Sequence, residues 1–159
     1  MLIDDVAIAR VVHVLALVHW IGGVMIVTTI VLPRARDQID SSAAITIFET
    51  FESRFAMQAR MSISLAGLSG LYMLYKLGGW GRLLDPASWW LMLMVAVWVV
   101  FALMVFVFEP LVIDRWFHDF ALHDKDRAFA LAIKLHAVAL TASGIAIAAG
   151  VLGAHGALP

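Results

Sequence analysis

The sequence predicts an all-α protein, an integral membrane four-helix bundle. Composition is the first reason. Of 159 residues, 63% are hydrophobic and 14% charged, with a mean hydropathy of +0.94. Soluble domains hold about 45–50% apolar and 25% charged residues, and a water-soluble globule of this length cannot hide so much apolar surface. Pattern is the second reason: the apolar residues fall into four runs, each near the ~20 residues that cross a bilayer. Four crossings and their loops use up the chain, so residues 1–159 read as one membrane domain.

The runs lie at about residues 6–32, 54–77, 87–109 and 128–154. The first is apolar except for Arg10, His13, His19 and the pair Thr28 and Thr29, and Pro33 with Arg34 is expected to stop it. The second is apolar from about Met61 to Leu77, and Ile45, Phe48, Phe51 and Phe55 precede that stretch at helical spacing. Residues 42–77 therefore read as one long helix, capped by Ser41 or Ser42 and ended by Gly78-Gly79-Trp80-Gly81. The third carries no charge from Ala87 to Phe108 and then meets Glu109-Pro110. Its large side chains are expected to face lipid. The fourth is interrupted by Lys134 and His136. It carries Ala142, Ala146, Gly150 and Ala154, a stripe that permits close helix approach.

Charge sets the expected orientation. Arg34, Arg36, Arg54, Arg60, Arg115, Lys125, Arg127 and Lys134 fall on one side, eight of the eleven basic residues. The positive-inside rule places that side in the cytoplasm and both termini outside, as in a bacterial inner membrane. Trp80, Trp89 and Trp90 fall at the outer aromatic belt. The start, Met-Leu-Ile-Asp-Asp, lacks the basic residues of a cleaved signal peptide, so the first run is expected to persist in the mature chain. A net charge of −1 leaves no basic excess for nucleic acid. The absence of cysteine removes disulfides, iron–sulfur clusters and thiolate metal sites.

Ionisable groups within membrane helices are costly and call for a reason. His13 and His19 are six residues apart, about 240° around the helix, so they do not chelate one ion together. His136 lies in the inner half of the fourth run and His155 at its outer end. A b-type haem in a helical bundle is held by imidazoles, with small residues making room for the macrocycle. Such neighbours are Ala16, Gly22 and Gly23 near His19, and Ala139 and Ser143 near His136. By helical rise, His19 and His136 differ in depth by about 5–10 Å, and His13 and His136 by about 15–20 Å. His13 therefore pairs more naturally with His155 or a water. Arg60, grouped with Arg54, Glu109 and Lys134 near the inner boundary, belongs either to an ion-pair network or to an anchor for haem propionates. His118 and His123 read as solvated. Copper is the other cofactor to weigh, through Met57, Met61 and the histidines. Ordinary helix packing and histidines that bind nothing are the structural alternatives.

The run His13-Val-Leu-Ala-Leu-Val-His19-Trp20-Ile-Gly-Gly23, with its Pro33-Arg34 exit, resembles the first helix of the copper resistance D-like (CopD-like) integral membrane family. It also resembles the related small HemJ-type membrane proteins. Arg54-Phe55 and Gly67-Leu-Ser-Gly70-Leu71 extend the resemblance over about residues 10–75. It implies a four-helix protein associated with haem b or with copper, and His13 as a haem ligand. Where the group often has a histidine near the start of the third helix, this chain has Trp89, Trp90 and Met92, so His136 would have to stand in as the second ligand.

The leading expectation is a membrane b-type haem protein in electron transfer, with His13 and His136 as metal ligands and His19, His155 and Arg60 as further cofactor contacts. Quinone or another redox partner would complete it, and an oligomer is possible in principle. The alternatives are copper transport or handling, and a cofactor-free membrane scaffold subunit.

Overall fold

The computed structural model describes residues 4–158, and the start Met1-Leu2-Ile3 lies outside them. The described residues form helices and turns, with no strand among them. Helix α1 (Asp5–Arg36) is followed by α2 (Ser41–Lys76), α3 (Pro86–Ile113), α4 (Asp114–His123) and α5 (Lys125–Ala154). Helices α1, α3 and α5 are long and apolar enough to cross a membrane. Helix α2 has the length, at 36 residues, but serine, glycine and tyrosine dilute its apolar stretch. Those serines include the ones that meet the histidines of α1.

Neither proline ends its helix. Pro33 lies inside α1, directly after a π-helical stretch at Val27–Val31, and Pro110 lies inside a π-helical stretch at Met104–Ile113. In an α-helix the proline ring collides with the carbonyl four residues earlier and removes one hydrogen bond. The wider π turn relieves that collision, and the helix continues. The carbonyls four residues earlier belong to Thr29 and Phe106, and both lie within these stretches.

The caps are acidic. Asp4 accepts from the Val6 backbone N–H, and Asp40, rather than Ser41 or Ser42, accepts from Ser42 and Ala43 at the start of α2. A short carboxylate before the first turn satisfies donors that have no partner within the helix. Helix α2 closes on Gly78, whose φ of 63° is the left-handed conformation that glycine adopts without strain.

Two packed clusters hold the helices together. At the basic end Leu32, Ala35, Ala44, Phe48, Phe117 and Phe129 join α1, α2, α4 and α5. Further along, Trp20, Val24, Ala59 and Ile63 pack with Phe101 and Leu140, and the Trp20 and Phe101 rings meet edge to face at 4.4 Å. Small residues set the approach elsewhere. A Cβ on Gly67 would lie 2.3 Å from the Trp98 ring, and one on Gly153 would lie 2.3 Å from Trp90. Over Trp89–Leu103 of α3 only Trp90 is fully buried; Trp98 and Phe101 pack half-buried on the bundle, and the opposite side, with Met92, Val99 and Val100, faces outward.

Candidate functional site

The α1–α2 seam carries the two histidines of the first helix. His13 Nδ1 lies 2.8 Å from the Ala66 carbonyl and 3.2 Å from Ser69 Oγ. A carbonyl oxygen only accepts, so Nδ1 carries the proton. The Ser69 hydroxyl donates to Leu65 O at 2.5 Å, which turns its lone pairs toward the imidazole. Gly70 makes room for the ring, since a Cβ there would sit 3.2 Å from His13 Cε1. The result is a half-buried imidazole with a fixed tautomer, whose Nε2 lone pair has no partner among the described residues. An Nδ1–H donated to a backbone carbonyl is the arrangement that orients histidines binding a metal through Nε2.

Two turns along, His19 Nδ1 meets Ser62 Oγ at 2.8 Å. The serine is buried and the histidine exposed. His136 points Nδ1 at Ala132 O, 2.9 Å away on its own helix, and His155 does the same to Val151 O at 2.8 Å. His136 is half-buried and His155 exposed.

The helix register places these groups in depth. The pairs Met94–Gly150, Arg60–Val105 and His19–Ser62 relate α3 to α5, α2 to α3 and α1 to α2. Following them sets His136 level with Phe108, Met57 and Val24. Val24 is eleven residues past His13, so the two imidazoles differ in depth by about 16 Å. One planar macrocycle does not span that difference. His19 lies about 7 Å from the level of His136.

Arg60 donates from Nε to Val105 O at 3.3 Å, and its Nη2 lies 3.6 Å from Glu109 Oε1. It is nine residues before Ser69, about 14 Å deeper than His13 and near the level of His136. Of the expected inner cluster, these contacts join Arg60 and Glu109. Lys134 lines an open groove along α5 with Ala137, Thr141 and Ala142. Met57 and Met61 are 67% and 61% exposed on the outward face of α2. No three His, Asp or Glu side chains converge on a metal-sized site among the described residues.

His118, expected to be solvated, is exposed but paired: its Nδ1 lies 2.7 Å from Glu49 Oε1. That hydrogen bond holds the imidazole above its ordinary value of 6.5. Sequence reasoning passed over Ser62, and took Ser69 as part of the motif at residues 67–71 rather than as a partner of His13. The seven-residue spacing of the two serines, two helical turns, was the available signal.

No family model, no curated protein and no solved structure matches this chain.

Proposed function

We propose that this chain is a four-helix integral protein of the inner membrane, termini outward, that binds a b-type haem through His13 and passes electrons. The observation that carries this reading is the His13 imidazole, held at Nδ1 by Ala66 and Ser69 with its Cε1 edge against Gly70, and with no partner for Nε2 among the described residues. The donor fits the group: a neutral imidazole protonated on Nδ1 ligates through Nε2. Bound haem would supply reversible one-electron chemistry. The protein's part is to fix the ring and raise its basicity through the Ala66 carbonyl. The resemblance to CopD-like and HemJ-type proteins points the same way. His136 would serve a separate ligation level, where Arg60 stands near it, and His155 lies at the outer rim. Copper handling has less support, because Met57 and Met61 face outward.

The test is an absorption spectrum of the full chain purified in detergent after expression with added haem. A Soret band that is lost in His13→Ala and retained in Ser41→Ala is the expected result. Absence of the band, or its persistence in His13→Ala, overturns the reading.

A further inference from the structure

The seam between α1 and α2 presents a second group of polar atoms, and these face outward. His19 lies midway along α1 and is exposed, flanked by Leu15 at 62% and Val18 at 65% exposure. Ser62 holds its Nδ1, while Nε2 has no partner among the described residues. One turn deeper on α2, on the face that carries Ser62, Gln58 is exposed, and no described residue bonds its amide. Between the levels of these two groups lies Gly22, where an added Cβ would meet nothing within 4 Å. Beside it the Phe55 ring covers Gly23.

In hydrocarbon an unsatisfied imidazole nitrogen and a free carboxamide are both unfavourable, because no water is there to bond them. Their register levels are about four residues apart, or about 6 Å. A partner for both must therefore be lipid-soluble, flat enough to lie over Gly22 and able to accept hydrogen bonds at two separated edges. A phospholipid chain offers no acceptor at that depth.

We propose that His19, Gly22 and Gln58 form a seat for the head group of a membrane quinone, with the two carbonyl oxygens directed to His19 Nε2 and the Gln58 amide. This names the redox partner of the proposed electron carrier and rests on that reading for its purpose. The binding itself does not require haem. When Nε2 donates, Nδ1 accepts from the Ser62 hydroxyl, a role the 2.8 Å contact allows. Phe55 supplies an aromatic floor.

The experiment is equilibrium binding of decylubiquinone to the full chain in phosphatidylcholine nanodiscs, with and without haem. Photo-crosslinking of an azido-quinone locates the site. Saturable binding, crosslinks within residues 15–26 or 55–65, and about tenfold weaker binding in His19→Leu are expected. Gln58→Leu is expected to weaken binding several-fold, with the thermal midpoint of each variant confirming that it is folded. Equal affinity in both variants, or crosslinks confined elsewhere, overturns the seat. So does a dimer that His19→Leu converts to a monomer, which would assign the seam to a second copy of this chain. Quinone binding without a Soret band defeats the haem reading alone. A Soret band without quinone binding defeats the seat alone.

Discussion

The indole N–H of Trp98 donates to the backbone carbonyl of Ile63 across 2.9 Å, while the same ring lies over Gly67 one turn away. A helix carbonyl already bonded in its own ladder thus takes a second donor from α3. The glycine is what lets the ring come so near.

Two substitutions test that contact. Trp98→Phe keeps most of the ring and removes the bond, with an expected loss of about 1 kcal/mol. Gly67→Leu pushes a side chain into the space of the indole, and a loss of about 1–3 kcal/mol follows from overpacking. Reversible unfolding in mixed micelles reads both. An unchanged midpoint in Gly67→Leu would mean that α3 does not rest on α2 here.

Arg60 and Glu109 are partly buried, with side chains 39% and 17% exposed. Their coupling is expected to be modest, about 1 kcal/mol, because the separation is 3.6 Å and the arginine is open to solvent. Arg60→Gln and Glu109→Gln, alone and together in a double-mutant cycle, measure it. The Arg60 bond to Val105 adds to the cost of losing the arginine.

The contact of His118 with Glu49 depends on pH. The bond to Glu49 raises the folded value above the ordinary 6.5. Its stabilisation is therefore complete below about pH 6.5 and declines as pH rises through the raised value. Amide protection across α4, corrected for the intrinsic rise of exchange with pH, is expected to fall over that window in the native chain. His118→Gln should abolish the pH dependence of that protection. An unchanged profile in that variant would assign the effect to another group.

Orientation is open to direct labelling because the chain has no cysteine. Ala157→Cys is expected to react with an impermeant maleimide from outside intact cells. Asp37→Cys, between α1 and α2, should react only after lysis. The reverse pattern would invert the topology.

Much of the architecture was readable before folding. An all-α chain with apolar runs of bilayer length follows from hydropathy alone, because helix is the economical way to satisfy backbone groups without water. The long second helix, its glycine stop and the outward face of α3 were legible for the same reason. The proline stops were not. Pro33 and Pro110 carry the usual signal of a helix end, and only the local widening to π geometry lets each helix run on. The α2 cap fell to Asp40 because a carboxylate in the preceding position reaches the Ser42 and Ala43 N–H groups.

By itself the sequence determined that the chain is helical, that it carries apolar runs long enough to cross a membrane and that its few histidines are the conspicuous polar exceptions. Only the tertiary structure decided what those histidines meet. The Ala66 carbonyl that orients His13 has no side-chain signature, and Ser62 reaches His19 only through the antiparallel register of two helices. Depth was decided in the same way, since rise along one helix fixes spacing but only packing between helices fixes level. That packing sets His13 and His136 on separate levels and leaves the open Nε2 of His19 facing outward beside α2.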